Sequence, residues 1–209
     1  MKNQHLPDRI WLASKSPRRQ ELLAQLGVAF DVLQPPEQDA ENQDMVNESI
    51  HVGESAYDYV NRLAQEKAAY AWQYLVRTRQ PQRPILSADT TVVIDGRILG
   101  KPANRDEARI MMETLSGHTH QVLTGVAVKW QDKMVSAVQV SDVTFAPLDS
   151  KRIEAYITTD EPYDKAGGYG IQGLAGKFIS RINGSYSSIM GLPLYETAEL
   201  LREIGIHIE

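Results

Sequence analysis

The 209-residue chain reads as an α/β or α+β fold built on a mixed sheet. Strand-like apolar runs and amphipathic helical patterns are interleaved without strict alternation, which argues against a doubly wound parallel sheet. His120 to Trp130 and Met134 to Phe145 form two consecutive long strand-like runs, and Asp95-Gly96 is a hairpin signal. No linker, repeat or low-complexity tract divides the chain, so residues 1–209 read as a single domain, bilobed around a central cleft.

Each element follows from local chemistry. Ile10-Trp11-Leu12 is a short apolar strand. Ser16 is a suitable N-cap, and Pro17 suits the first helical position, where its missing N–H costs nothing. Leu22, Leu23 and Leu26 give that helix its apolar face, and Gly27 stops it. Gln34 to Glu54 is polar, acidic and proline-containing, and reads as a long loop or insertion; loops of that length are usually functional or disordered. Ser55 and Asp58 form a capping box for a long helix through Val60, Leu63, Ala64, Ala68, Ala71 and Leu75. Pro84 to Ile94 reads as a mostly buried strand, turned by Asp95-Gly96 into Arg97-Ile98-Leu99. Asn104, followed by Glu107, caps a helix ending near Gly117. In the run ending at Phe145, Val138, Val140, Asp142 and Thr144 share one face, and Gln139, Ser141, Val143 and Phe145 the other. Asp149 to Thr158 is a short helix, Phe178 to Ile182 a strand and Leu194 to Ile204 a closing helix.

Composition excludes several functions. The net charge of −5 provides no global field for nucleic acid, so an anionic ligand requires a local basic cluster, with a metal ion to assist. Without cysteine there is neither a disulfide framework nor thiolate chemistry. Met1 to Asp8 is polar and the following apolar run is too short for a signal peptide or membrane span, so the expectation is a cytoplasmic protein with no membrane partner.

The chemistry concentrates in a few clusters. Ser14, Ser16, Arg18 and Arg19 gather at a helix N-terminus, whose free N–H groups and partial positive charge suit a polyphosphate. The alternative is an ordinary capped helix with two solvated arginines, but arginines in a first turn oppose the helix dipole, a local cost that an anion would relieve. Asp89, in Ser87-Ala88-Asp89-Thr90-Thr91, interrupts an apolar run; it reads either as a turn or bulge aspartate or as a strand-end carboxylate facing a cleft, able to bind Mg²⁺ or orient water. Lys67, Lys101 and Lys165 are weak signals singly; with Arg18 and Arg19 they have the charge to neutralise a triphosphate. Gly168, Gly170 and Gly173 spell G-x-G-x-x-G, yet no strand precedes and no helix follows, so the dinucleotide fingerprint is rejected. These glycines instead allow a backbone path around a ligand, with Gln172 able to read a base edge. His118-Thr119-His120 reads as a helix end and a satisfied histidine rather than a metal pair. The P-loop, nucleophile-elbow and zincin motifs are missing.

Ser14-Lys15-Ser16-Pro17-Arg18-Arg19, Arg62-Leu63-Ala64 with Lys67-Ala68, Ala88-Asp89-Thr90, Gly100-Lys101-Pro102, Leu115-Ser116-Gly117 with His120, Asp164-Lys165-Ala166-Gly167 and Ile182-Asn183-Gly184-Ser185-Tyr186 together resemble the Maf family of nucleotide pyrophosphatases. They occur in family order and span nearly the whole chain. The resemblance implies a mixed twisted sheet flanked by helices, related to inosine triphosphate pyrophosphatases, and hydrolysis of a nucleoside triphosphate to the monophosphate and pyrophosphate. Within the family, S-P-R-R, A-D-T and G-I-Q-G resemble the branch acting on dTTP and UTP, with specificity falling on Arg18, Thr90 and Gln172. The resemblance also implies a homodimer, a divalent cation (Mg²⁺ or Mn²⁺), and Asp89 as proton acceptor or metal-linked residue. It further implies an acidic metal pair after the first helix and second strand; Asp39 is the candidate here, with Glu37 and Glu41 as alternatives. The expected mechanism has Ser14, Ser16 and the helix N–H groups on phosphate oxygens, Arg19, Lys67, Lys101 and Lys165 on the leaving pyrophosphate, and Asp89 orienting or deprotonating water. Rival functions are a purine housecleaning pyrophosphatase acting on ITP, and a nucleotide-sensing division regulator without turnover.

Overall fold

The computed structural model describes residues 9–37 and 46–208. Its strands form a seven-stranded mixed sheet among the described residues. The chain divides into two compact units, one comprising residues up to Asp89, Gly125–Val138 and the segment from Gly191, the other Thr90–Thr124 and Gln139–Met190. Both units are discontinuous in sequence, so no linker marks them.

In the first unit, β1 (Ile10–Leu12) pairs in parallel with β2 (Phe30–Val32) and with the start of β3 (Ile85–Ile94), Leu12 lying opposite Leu86. The three-residue β2 is too short to show periodicity, and the sequence pattern misses it. Asp31 ties these strands together, accepting from Arg9 at 2.7 and 3.1 Å and pairing with Arg83, whose guanidinium lies 4.8 Å above the Trp11 ring. Helix α1 (Pro17–Gln25) begins at Ser16 and buries Leu22 and Leu23; the left-handed Gly27 follows it.

Helix α2 (Ala56–Arg77) starts at the expected Ser55 cap: the Asp58 N–H donates to Ser55 Oγ at 3.1 Å, and the Ser55 hydroxyl donates to Asp58 Oδ2 at 2.6 Å in place of a capping box's reciprocal backbone bond. It buries the six residues its periodicity picks out, Val60, Leu63, Ala64, Ala68, Ala71 and Leu75. Its small residues permit close approach to the sheet. Ser87 Oγ donates to Ala64 O at 2.5 Å, and a Cβ on Gly125 would stand 2.4 Å from Val60 O. Gly125 belongs to β5 (Thr119–Trp130), whose Ala127 packs on Ala64 and Ala68.

In the second unit, the end of β3 forms a hairpin with β4 (Arg97–Leu99), and Asp95 and Gly96 both take positive φ, as a type I′ turn requires. Asn104 caps α3 (Arg105–Leu115), accepting from the Glu107 N–H at 3.0 Å; Asp149 caps α4 (Ser150–Ile157) in the same way, from Arg152 at 2.8 Å. Strand β6 (Lys133–Phe145) is antiparallel to β7 (Ile179–Asn183). Its end alternates as expected, with Ser141, Val143 and Phe145 buried while Val140 is exposed. Ser141 tolerates burial because it donates to Gln139 Oε1 at 2.7 Å and accepts from the Ser185 N–H at 3.0 Å. The glycine-rich stretch folds as short 3₁₀ turns, Glu161–Asp164, Ala166–Gly168 and Leu174–Phe178. Helices α5 (Tyr186–Met190) and α6 (Leu194–Glu203) follow β7. The sheet order is β2-β1-β3-β5-β6-β7, with β4 on β3. Among the described residues no helix is long and apolar enough to cross a membrane.

An aromatic cluster of Phe145, Tyr169, His120, Phe178 and Tyr156 centres the core of the second unit. His120 is a core histidine, as its context predicts, but only half satisfied: Nε2 lies 2.7 Å from the Tyr169 hydroxyl, while the buried Nδ1 has no hydrogen-bond partner among the described residues. Burial pushes its pKa down from 6.5 to about 4, so the ring is neutral in the folded protein. The unfolded chain binds that proton more tightly, so the neutral ring's contribution is present above pH 6.5 and lost as pH falls through 4. The loss corresponds to about 3 kcal/mol. Urea unfolding at pH 7 and pH 4 measures it, and His120→Gln, which does not titrate, is expected to show a smaller difference between the two. Gly125→Ala is expected to destabilise by about 1–3 kcal/mol, because its methyl group meets helix backbone and not a movable side chain.

Candidate active site

The start of α1 forms one side of a polar cluster in the first unit. Ser14 Oγ accepts from the Ser16 N–H at 3.2 Å and from Arg19 Nη1 at 3.4 Å. Ser16 Oγ caps the helix by accepting from the Arg19 N–H at 3.5 Å. Arg19 Nε donates to Gly191 O at 2.8 Å, which fixes the guanidinium plane. Arg19 is therefore not a solvated arginine. Burial lowers its pKa most; Asp89 opposes this, Arg18 adds to it, and Glu48 opposes it.

The other side comes from β3 and α2. Asp89 sits in the middle of an unbroken ten-residue strand, correcting both sequence alternatives, a strand end and a turn. Asp89 and Thr90 are the two half-buried positions in an otherwise buried strand. Lys67, one turn beyond Leu63 on α2, places Nζ 2.6 Å from Asp89 Oδ1 and 2.7 Å from Glu48 Oε1. Burial alone would lower the Lys67 pKa, but attraction to Asp89 and hydrogen bonds to Asp89 and Glu48 outweigh it, and the value is raised. Stabilisation from this cation is thus fully present below lysine's ordinary pKa and is lost only as pH rises through the raised one.

Glu48 is the functional candidate that sequence reasoning missed. It lies in the polar loop between β2 and α2, where no periodicity singles out one carboxylate from several. Two hard oxygen donors, Asp89 and Glu48, thus converge on one cation, a donor set that suits Mg²⁺ when substrate phosphates complete the shell. Among the described residues there is no group of three or more His, Asp or Glu side chains able to hold a metal by themselves. The expected ligand Asp39 and its alternative Glu41 lie outside the described residues, whereas Glu37 pairs with Lys15 at 2.9 Å.

Thr90, Lys101, Lys165 and Gln172 belong to the second unit. Thr90 Oγ1 lies 3.0 Å from Thr124 Oγ1, which donates to Ser188 O at 2.8 Å. Backbone bonding from the Gly167 N–H to Gly100 O, at 2.9 Å, ties the segments carrying Lys101 and Lys165 together. Gly167 needs its glycine: φ is +69°, and a Cβ would lie 2.9 Å from Val92. Lys165 Nζ donates to Glu161 O at 2.9 Å and pairs with Asp164, and its stem crosses Gly170 so closely that a Cβ there would stand 2.9 Å away. The Glu161 carboxylate accepts from the Leu174 and Ala175 N–H groups at 2.6 and 3.1 Å, fixing the turn that follows Gln172.

A family model described as Maf-like protein matches residues 9–204. The dTTP/UTP pyrophosphatase of Bordetella avium is 50% identical over 202 residues, 97% of this chain and 98% of its own. That of Cupriavidus metallidurans is 50% identical over 198 residues, 95% and 98% of the two chains, and that of Chromobacterium violaceum 46% identical over 200 residues, 96% of each. Among solved structures, the Staphylococcus aureus Ham1 protein is 13% identical, with a TM-score of 0.45 over 66% of this chain and 72% of its own.

The Lys67 ion pairs make a chemical prediction. Opposite charges on Asp89 and Glu48 hold the Lys67 pKa above the ordinary lysine value, so Lys67 should react with acetic anhydride at pH 9 more slowly than the exposed Lys151. Peptide mass spectrometry reads the rates, and the Glu48→Gln, Asp89→Asn double variant is expected to accelerate Lys67 alone. Equal reactivity of the two lysines in the native protein would contradict the ion pairs.

Proposed function

The chain belongs to the Maf family, and from that membership we propose that it hydrolyses dTTP and UTP to the monophosphate and pyrophosphate. The near-complete overlap with relatives named for that activity supports the substrate class. The observation that supports the chemistry is the Asp89–Lys67–Glu48 cluster: a carboxylate suited to activating water, held in place by a half-buried cation. A binding protein without turnover has no need of such a carboxylate.

In the proposed reaction, Asp89 orients a water molecule and accepts its proton as the oxygen attacks the α-phosphorus. A bond forms between the water oxygen and phosphorus, and the bond from that phosphorus to the α,β-bridging oxygen breaks. Pyrophosphate departs with the bond's electron pair. Ser14, Ser16 and the first N–H groups of α1 hold phosphate oxygens, while Arg19 and Lys67 offset the charge that grows on them. The motifs assign Lys101 and Lys165 to the leaving pyrophosphate, and Arg18, Thr90 and Gln172 to the choice of base. Asp89 and Glu48 are the described residues suited to a divalent cation, with Asp39 as the further ligand that the family pattern implies. When bound, such a cation supplies neutralisation of the phosphate charge.

A pyrophosphate-release panel over dTTP, UTP, CTP, ITP and 7-methyl-GTP, with and without Mg²⁺, tests the assignment. dTTP and UTP are expected to turn over fastest, and only with the metal. Faster turnover of ITP would favour a purine housecleaning enzyme, and tight UTP binding without release would favour a sensor. Asp89→Asn is expected to lower kcat by about 10²–10⁴-fold with thermal unfolding and circular dichroism unchanged. Gln172→Ala is expected to change the UTP-to-CTP ratio more than it changes kcat for UTP.

A further inference from the structure

Arg62 opens the Arg62-Leu63-Ala64 motif, yet the proposed reaction gives it no task. Its guanidinium is fully engaged. Nε donates to Glu54 Oε1 at 2.6 Å. Nη1 donates to Asn47 O at 3.0 Å and Glu66 Oε2 at 3.3 Å. Nη2 donates to Ser49 O at 3.0 Å and Glu54 Oε2 at 2.8 Å. Five donors meet five acceptors, the full complement of an arginine. Two of those acceptors are the backbone carbonyls on either side of Glu48. The Glu48 carbonyl itself accepts from the Tyr59 hydroxyl at 3.0 Å, and the Arg62 guanidinium lies 5.6 Å from the Tyr59 ring centre.

We propose that Arg62 is a positioning residue for the reaction: by clamping the carbonyls of Asn47 and Ser49 to α2, it sets the Glu48 carboxylate on Lys67 and thereby fixes the cation beside Asp89. The inference rests on the pyrophosphatase reading. Arg62 contacts none of the groups assigned to phosphate or water. It acts one residue removed, through the loop that presents Glu48. Tyr59, Arg62 and Glu66 are spaced i, i+3, i+7 and share one helix face, so α2 provides a rigid frame for this loop. Glu54 is the anchor at the loop's far end. Its paired oxygens accept from Arg62, and that bond, with the His51 N–H, holds its pKa at about 2 against the opposing effect of burial. The carboxylate therefore stays ionised at neutral pH. Lysine cannot replace Arg62, because one ammonium with three donors cannot span two carbonyls and a bidentate carboxylate.

The test combines turnover with a probe of the loop. Arg62→Lys, compared with the native chain and with Glu48→Gln, is assayed for UTP kcat and KM, and hydrogen exchange is followed at residues 46–54. The expected result is a loss of protection in the loop, and a kcat on the order of 10–100-fold lower at little-changed KM. In the Glu48→Gln background the same substitution should cost less than about twofold more, because its effect runs through Glu48. Independent, multiplying losses would overturn the proposal, as would retained kcat with a deprotected loop or retained protection throughout. If Arg62→Lys does not fold, Glu54→Gln is the milder variant: it weakens the anchor, and an unchanged kcat would overturn the proposal equally. If the native chain releases no pyrophosphate from any nucleotide, the pyrophosphatase reading fails. The clamp is then judged by exchange alone.

Discussion

Lys67 holds two carboxylates that would otherwise repel, and the polar chemistry of the first unit is arranged around it. Asp89 projects from the middle of a strand whose other side chains are largely buried. A carboxylate in such a half-buried setting is costly unless it is paired. The long helix α2 brings the ammonium to Asp89, and the preceding loop brings Glu48 to the same ammonium. The helix can come this close to the sheet because Ala64 and Ala68 face Ala127, and Gly125 leaves room for the Val60 carbonyl.

The same charges resolve a local contradiction at the start of α1. Arginines in a first turn oppose the helix dipole. Arg19 nevertheless sits there, fixed by Gly191 O and Ser14 Oγ and attracted by Asp89 and Glu48. Part of the cost is therefore offset within the protein before any substrate arrives. The arrangement suits a site that must accept several negative charges: cations already held in position need not reorganise when phosphate binds.

Much of this was legible in one dimension. Caps at Ser16, Ser55 and Asn104, the turn at Asp95-Gly96 and the buried stripe of α2 depend on neighbours within a few residues, and each appears as its local pattern requires. Strand β2 was not legible, because three residues carry no period and its place is set by pairing with β1. Asp89 is chemically odd in the sequence, where its pattern points to a strand end or a turn. A polar residue inside an apolar run looks like a break unless its partner, Lys67, is known to be there. Glu48 was hidden among the acids of its loop for the same reason.

The order of residues alone determined the helices, the hairpin, the mixed sheet and the chemical character of the serine, arginine, aspartate and lysine motifs, since periodicity and capping are short-range properties of the backbone. Only the tertiary structure decided which carboxylate meets which cation. Glu48 and Asp89 lie 19 residues before and 22 residues after Lys67, and a 2.7 Å contact over such separations is made by packing a helix and a loop onto a strand, which no local rule encodes.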